Sequence, residues 1–205
     1  MPIFPGKPSK AKLVAALMAS DQQLFEKALS LLEPTYGPVE LSSAVFPFTY
    51  SDYYKKEMGE GLLKVYCSFR KLIEPDEIVG LKLAAIECEK NFVREATREN
   101  SAEIPGQNPP QKTASAGPGG RSVNIDPGYL DRMRVVLATT KDCSHRIYLG
   151  QGIYGDIELM YRSGSFVSLE WTYPDYRAAL AIEFFSKVRN VYLVDLREAS
   201  QKAQE

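Results

Sequence analysis

The chain has 205 residues and is 44% hydrophobic, a length and composition that suit one domain with a substantial buried core. Its 25 basic and 26 acidic residues give a formal net charge of −1, which excludes an overall attraction to extended nucleic acid, and no apolar stretch is long enough to span a membrane. Three cysteines without a CxxC pair favour a reducing, cytoplasmic location over a disulfide framework.

An apolar run from Leu13 to Met18 follows three lysines near the start of the chain. This order is similar to a secretory signal peptide, but the run is barely long enough for one and leads directly into a capped helix. We therefore interpret it as a buried first strand. Ser20 and Gln23 form a capping box that predicts a helix to about Leu32, which Pro34 ends. The side chains predicted to face the core are Leu24, Ala28 and Leu31.

Two strands and a second helix are predicted next. The apolar segment Val39 to Phe48 is typical of a second strand, and Leu62 to Ile73 of a third. Pro75 at a first helical position, with acidic Asp76 and Glu77 behind it, predicts the start of the second helix. The residues of its predicted core stripe are Ile78, Leu81, Ala85, Cys88 and Phe92.

The segment from Phe48 to Gly59 joins the second and third strands and is longer than a hairpin requires. Long loops of this kind are often functional. Its adjacent tyrosines, Tyr53 and Tyr54, leave two interpretations open, a lid over the sheet or a short amphipathic helical turn.

From Asn100 to Gly120 the composition changes to Pro, Gly, Ser, Gln and Asn without aromatic residues, which predicts a disordered or flexible internal loop. A short strand is predicted at Arg121 to Ile125. It completes the order strand, helix, strand, strand, helix, strand, which is that of the ferredoxin-like split βαβ unit.

The segment from Tyr129 to Thr140 gives conflicting signals. Asp126 and Pro127 resemble a helix start, whereas the β-branched Val135 and Val136 favour a strand. We interpret the segment as a helix and keep the strand as the alternative.

The stretch from Lys141 to Arg177 contains the only histidine and the only tryptophan. Gly150 and Gly152 predict a turn between the strands His145 to Leu149 and Ile153 to Arg162, and Ser163 with Gly164 predicts a second hairpin. Residues at helical spacing then predict a closing helix on the sheet: Ala178, Ala181, Phe185, Val188 and Tyr192. The predicted fold is a single α+β domain over residues 1–205, with a ferredoxin-like βαββαβ core, an antiparallel hairpin or meander extension and a C-terminal helix.

Several common chemistries are excluded by residue counts and spacing. One histidine with three scattered cysteines supplies no recognisable zinc site, so no metal site is predicted. A single histidine also excludes the two-histidine phosphoesterases that occur on ferredoxin-like scaffolds. Asp142, Cys143 and His145 are close in sequence, but their side chains diverge on an extended backbone and form no catalytic triad.

A polar face is predicted on the first of these hairpins. Alternation along a strand places Arg146 and Tyr148 on one side, and Tyr154, Asp156 and Glu158 continue that polar side on the next strand. A planar arginine beside tyrosine rings is a suitable platform for an anionic, ring-bearing ligand such as a nucleotide. The alternative is a solvated strand face on which the arginine pairs with one of the two carboxylates.

Other polar residues of this stretch also have two interpretations each. His145 is either a general acid or base or a boundary histidine bonded to the backbone. Lys141 and Asp142 form either phosphate or metal contacts or a surface ion pair. The rings of Trp171, Tyr173 and Tyr176 either stack on a base or pack together, with Asp175 as the helix cap and Arg177 as the more available functional group.

Five runs resemble an uncharacterised bacterial family that bears domain of unknown function 4416. They are VFPF at Val45 to Phe48, YYKKEMG at Tyr53 to Gly59, NIDPGYL at Asn124 to Leu130, HRIYLGQGIY at His145 to Tyr154 and WTYPDYR at Trp171 to Arg177. The resemblance implies kinship over nearly the whole chain but no established activity. GTP binding by a P-loop is not predicted, because the GPGGRS run lacks the lysine and the spacing of GxxxxGK[ST].

Three functional hypotheses follow. The first is a cytoplasmic module that binds a small phosphate-bearing or nucleotide-like ligand or an RNA end. The residues proposed to bind it are Arg146, Tyr148, Tyr154, Arg177, Lys141, Tyr53 and Tyr54. A long polyanion is disfavoured because residues 141–177 carry four basic side chains against five acidic ones. The second is an enzyme for a nucleotide or phosphorylated metabolite, with His145 as acid or base and Asp142 or Asp126 holding Mg²⁺. The third is a structural interaction protein. The sequence indicates neither a cofactor nor an oligomeric state.

Overall fold

The computed structural model describes the backbone of residues 6–99 and 120–202. The strands are β1 (Ala11–Ala19), β2 (Val39–Ser42), β3 (Phe46–Pro47), β4 (Leu63–Ile73), β5 (Val123–Leu130), β6 (Arg134–Thr139), β7 (Ile147–Gly150), β8 (Ile153–Arg162) and β9 (Ser165–Ser168). The α-helices are α1 (Gln22–Tyr36), α2 (Lys55–Met58), α3 (Ile78–Glu99) and α4 (Ala179–Lys202), and short 3₁₀ helices, Pro75–Glu77 and Pro174–Arg177, precede α3 and α4.

Within the described ranges, nine strands form one sheet with the order β2-β4-β1-β5-β6-β8-β7, while β3 also pairs with β4 and β9 with β8. The pairs are antiparallel. The prediction of an α+β protein with an antiparallel sheet and a C-terminal helix is therefore confirmed.

Both faces of the central strand β1 are buried, which explains why its sequence is a continuous apolar run. Leu13 and Leu17 pack with α1 and α3 on one face. Val14 and Ala16 pack with α4 on the other, since successive strand side chains point to opposite sides.

The N-cap of helix α1 lies one residue later than predicted. Asp21, not Ser20, is the N-cap, and its side chain accepts a hydrogen bond from the Gln23 amide at 2.9 Å. The buried stripe moves accordingly to Phe25, Ala28, Leu32 and Tyr36. The predicted core residue Leu31 is 49% exposed. The helix also continues through Pro34 and ends at Tyr36, and its C-cap, Gly37, has a φ of 79° that favours glycine.

The second predicted strand is two short strands, β2 and β3, whereas the third, β4, agrees with its prediction to within one residue at its start. Helix α3 follows the 3₁₀ helix that begins at Pro75. All five residues of its predicted stripe are buried, which confirms the face that packs on the sheet.

The predicted helix in the segment Tyr129 to Thr140 is wrong, because the segment forms the end of β5 and all of β6. Asp131 makes the turn between them: its Oδ1 accepts hydrogen bonds from the Met133 and Arg134 amides at 2.7 and 2.8 Å. The valines of β6 are buried in the sheet, so tertiary packing overrides the local helix-start signal of Asp126 and Pro127.

Strands β5 and β6 pair only where Gly128–Leu130 faces Val135–Leu137. Gly128 permits the close approach, because a Cβ at this position would collide with the Val136 carbonyl oxygen. Beyond this pair, toward Asn124 on one strand and Thr139 on the other, no pairing holds the strands together. The sheet therefore has a gap here. Pro127 of β5 lacks a backbone amide hydrogen, so no donor is left without a partner at this residue.

Both predicted hairpins are present, as β7 with β8 and β8 with β9, and α4 is the predicted closing helix. The alternative interpretation of a solvated polar side on β8 is wrong in one respect, since Asp156 and Glu158 are 1% and 0% exposed. Residues 169–177 cover this side, and the Glu158 carboxylate accepts the Tyr173 amide at 2.9 Å. Ile147 of β7 is instead 67% exposed.

The predicted loop from Asn100 to Gly120 lies outside the described residues, apart from Gly120. Among the helices that the structure describes, none combines the length and apolarity needed to cross a membrane.

Candidate ligand-binding cavity

A cavity of about 460 Å³ lies where β5 and β6 separate, on the same face of the sheet as α4. Its walls come from β4, β5, β6 and β8, from the segment Phe48 to Tyr54, and from residues 173–176 before α4. Lys82 also lines it, although α3 packs on the opposite face of the sheet. The volume is in the range of small-molecule sites.

Oppositely charged side chains form two ion pairs along the cavity wall. Lys82 donates to the Asp126 carboxylate at 3.0 Å and to the Ile125 carbonyl at 2.9 Å. Burial by itself raises the pKa of Asp126, but Lys82 and then Lys64 outweigh it and lower this pKa to about 2. Asp126 is therefore ionised at neutral pH.

The second pair joins Lys64 of β4 to Asp175 at 2.7 Å. The same carboxylate oxygen accepts the Tyr66 hydroxyl at 2.7 Å. The Lys64 ammonium also lies 5.2 Å from the ring centroids of both Phe48 and Tyr176. An ammonium has three donors, and Asp175 is its one hydrogen-bond acceptor in the described structure, so two donors have no hydrogen-bond acceptor there.

Arg121 connects the cavity wall to two helices. It donates to Glu89 of α3 at 2.7 Å and lies 3.0 Å from Glu57 of α2. Glu89 in turn accepts the Ile125 amide of β5 at 2.6 Å. The guanidinium thus ties the short helix α2 to the body of the protein beside the cavity.

The loop with the two tyrosines contains the helical turn α2 and also borders the cavity, so features of both interpretations occur together. The ammonium of Lys141, across the cavity, lies 4.0 Å from the ring centroid of Tyr53 and 5.6 Å from that of Tyr54. Burial, with Asp126 nearby, raises the pKa of Tyr54, so its hydroxyl stays protonated and can donate. Lys141, Tyr53 and Tyr54 are the predicted ligand-binding residues that the structure brings together at the cavity.

Arg146 is held by protein groups, as the alternative interpretation predicted. Its Nε donates to Asp156 Oδ2 at 2.7 Å, and its two terminal nitrogens donate to the Lys141 carbonyl at 2.9 Å and the Tyr173 hydroxyl at 2.7 Å. These bonds fix the loop before β7 and leave the guanidinium to position Asp156.

The two candidate catalytic residues do not line the cavity. His145 stacks on Trp171, with ring centroids 5.1 Å apart, and its Nε2 lies 3.5 Å from Asp156 Oδ2. Asp142 is exposed in the loop. In residues 6–99 and 120–202 no group of three or more His, Cys, Asp or Glu side chains is arranged to hold a metal ion, and Asp126 is paired with Lys82.

The remaining predicted ligand-binding residues lie elsewhere. Tyr148 is 61% exposed and packs edge-to-face on Tyr154 with centroids 5.3 Å apart. Arg177 donates to the Thr172 and Glu170 carbonyls at 2.8 and 2.7 Å and closes the loop before α4. Asp175 bonds Lys64 and Tyr66 through its side chain, so its predicted role as a side-chain helix cap is wrong.

Sequence reasoning missed the cations of the cavity wall, Lys64, Lys82 and Arg121. Lys82 stands at i+4 from Ile78, inside the apolar stripe of α3, where a lysine is unexpected. Lys64 and Tyr66 are two residues apart and share one side of β4, a strand whose other residues are mostly buried. Both lysines interrupt apolar patterns in the sequence, and this signal could have identified them as candidate site residues. No comparable pattern surrounds Arg121.

The model of a family described as domain of unknown function DUF4416 matches residues 9–102 and 109–192. No curated protein and no solved structure matches the chain significantly.

Proposed function

Since the chain belongs to the DUF4416 family, a kinship that carries no activity, we propose from the geometry alone that it binds a compact anionic, ring-bearing ligand in the cavity. The ligand class is a nucleotide or a comparable phosphorylated metabolite. The observation that carries the proposal is the convergence of four cations, two of them buried, with tyrosine rings around one volume of about 460 Å³.

The anionic group is assigned to the part of the wall formed by Lys82, Arg121 and Lys141. Lysine ammonium groups and arginine are the usual partners of phosphate, and Lys141 is free to leave the Tyr53 ring for a stronger anionic partner. The ring of the ligand is assigned to the tyrosines, whose faces and hydroxyl groups give stacking and hydrogen bonds.

The charges of the wall also limit the ligand. Four cations (Lys64, Lys82, Arg121 and Lys141) face three aspartates (Asp126, Asp156 and Asp175). A near-balanced wall of this kind disfavours a long polyanion and suits a small molecule with one anionic group and several hydrogen-bonding groups.

Binding is favoured over catalysis by His145, because neither that ring nor Asp142 lines the cavity. The strand order β2-β4-β1-β5, with α1 and α3 on one face, supports a ferredoxin-like core to which β6 to β9 and α4 are added. The free thiols of Cys67, Cys88 and Cys143 support the proposed cytoplasmic location.

The proposal is tested by calorimetric titration of the purified protein with adenosine 5′-monophosphate, guanosine 5′-monophosphate, ribose 5-phosphate and inorganic phosphate. We expect at least one nucleotide to bind more tightly than ribose 5-phosphate, and Lys141→Gln to weaken that binding by about ten-fold through loss of one cationic contact.

Lys187→Gln is the matched control, since Lys187 is exposed on α4 and pairs only with Glu183 among the described residues. The affinity of Lys187→Gln for the nucleotide probes should equal that of the wild type. If none of the four probes binds at millimolar concentration, or if both lysine variants weaken binding equally, the proposal is wrong.

A further inference from the structure

Asp156 is a buried carboxylate in the wall of the cavity. It is 1% exposed and lies opposite Leu137 in the register of β8 with β6, and both residues line the cavity. Opposite residues of an antiparallel pair point to the same face, so the Asp156 side chain stands on the cavity side of the sheet.

The two oxygens of this carboxylate have different surroundings. Oδ2 accepts from Arg146 Nε at 2.7 Å and lies 3.5 Å from His145 Nε2. Oδ1 is buried and has no hydrogen-bond partner in the described part of the chain. Buried carboxylate oxygens are almost always satisfied, so Oδ1 lacks a donor that a ligand in the cavity lined by Asp156 would supply.

Other groups fix the orientation of this acceptor. Arg146 holds Oδ2, and the Tyr173 hydroxyl, which accepts from another nitrogen of the same guanidinium, holds Arg146. Because the bonded oxygen is fixed, the free oxygen is fixed as well, as required of a group that discriminates between ligands.

We propose that Asp156 is the specificity-determining residue of the cavity and selects ligands whose ring carries an amino group. The inference rests on the proposed function. An exocyclic amine donates to Oδ1, whereas a ligand without a donor leaves the carboxylate oxygen unpaired in a buried site. The anionic group of the same ligand lies away from Asp156, against Lys82 and Lys141, because two negative charges repel each other.

Matched probes test this selection. Adenosine 5′-monophosphate is compared with purine riboside 5′-monophosphate, and guanosine 5′-monophosphate with inosine 5′-monophosphate; the members of each pair differ only in the exocyclic amine. In calorimetric titration we expect the aminated member of at least one pair to bind the wild type about ten-fold more tightly.

Asp156→Asn then tests the residue. The amide oxygen of asparagine replaces Oδ2 as the acceptor for Arg146, so its NH₂ group points toward the cavity and a donor stands where the acceptor was. In this variant the preference for the aminated member of a probe pair should fall to less than about two-fold or reverse. Asp76→Asn, the same change at an exposed position at the start of the helix that leads into α3, should retain the wild-type preference.

The outcomes separate the two proposals. Equal affinity of the wild type for both members of each pair overturns the selection by Asp156 while nucleotide binding stands. A preference that survives in Asp156→Asn overturns the role of this residue. Failure of every probe to bind overturns the proposed function and the inference with it. If Asp156→Asn does not fold, equal affinity of the wild type for the two members of each pair still overturns the selection.

Discussion

Lys12 and Lys64 are buried lysines on the same face of the sheet, but their surroundings differ. Lys12 is 0% exposed, lies opposite Leu130 of β5, and bonds Glu40 of β2 at 2.8 Å and also Asp195 of α4. Lys64 is 7% exposed, and Asp175 is its one carboxylate partner within the described residues.

The difference separates a charge that ties elements of the fold together from a charge that we propose binds a ligand. Two carboxylates satisfy Lys12 and tie α4 to the sheet, and Lys12 does not line the cavity. Lys64 lines the cavity and keeps hydrogen-bond donors without an acceptor, surrounded by aromatic rings. An incompletely satisfied buried charge at a cavity wall is therefore a better indicator of a ligand site than burial of a charge alone.

The largest effect is expected from Lys64→Met. The substitution leaves the Asp175 carboxylate, which is 3% exposed, with the Tyr66 hydroxyl but without a cation. Removing one partner of a buried ion pair should lower the free energy of unfolding by about 3–5 kcal/mol, measured by urea denaturation. Nucleotide affinity should also fall, since a donor of the cavity is lost.

The double variant Lys64→Met with Asp175→Asn separates these two consequences. Neutralising Asp175 removes the uncompensated buried charge, so most of the lost stability should return. Affinity should stay low, because the ammonium is still absent. Recovery of both stability and affinity would contradict the assignment of Lys64 to the binding wall.

Lys12→Met should have a smaller effect, on stability alone. The partners it leaves, Glu40 and Asp195, have side chains 19% and 27% exposed, so water partly replaces the lost ammonium. We expect a loss of about 2 kcal/mol in the free energy of unfolding. Affinity for nucleotide probes should match the wild type; a loss as large as in Lys64→Met, in folded protein, would remove the distinction between the two lysines.

The sequence was sufficient for most of the helices and strands, because these follow from periodic patterns. The apolar run of β1, the stripe of α3 and the glycine turns of the hairpins each predicted an element that the structure contains. The helix predicted near Tyr129 failed, since its local cap signal competed with pairing to β1 and β8, which are distant in the chain.

The candidate site was only partly predictable. Tyr53 and Lys141 were identified from a long loop and a loop before a strand, and the structure brings them together. The polar side of β8 was also recognised, but a period of two shows only that Asp156 and Glu158 share a side, and whether that side is covered depends on the segment before α4. The position of Lys64 and Lys82 in a cavity wall becomes visible only when the gap between β5 and β6 is known.

The last prediction concerns Glu158, another buried titratable group on this face, and depends on pH. Burial, and then the negative charges of Asp156 and Asp175, raise its pKa from 4.5 to about 8, although the Tyr173 amide and Lys64 oppose the shift. A group with a raised folded-state pKa stabilises the fold below its unfolded pKa, and this contribution is lost as pH rises from about 4.5 to about 8.

Glu158→Gln removes this pH dependence and keeps an acceptor for the Tyr173 amide. Its free energy of unfolding, relative to that of the wild type, should therefore increase between pH 4.5 and pH 8.5. The expected increase is at least about 1.4 kcal/mol, the equivalent of one pKa unit. Urea denaturation at both pH values measures the difference, and Glu183→Gln on the exposed surface of α4 is the control, with a change below about 0.5 kcal/mol. Parallel pH profiles of the wild type and Glu158→Gln would mean that Glu158 is already ionised in the fold, as Asp126 is.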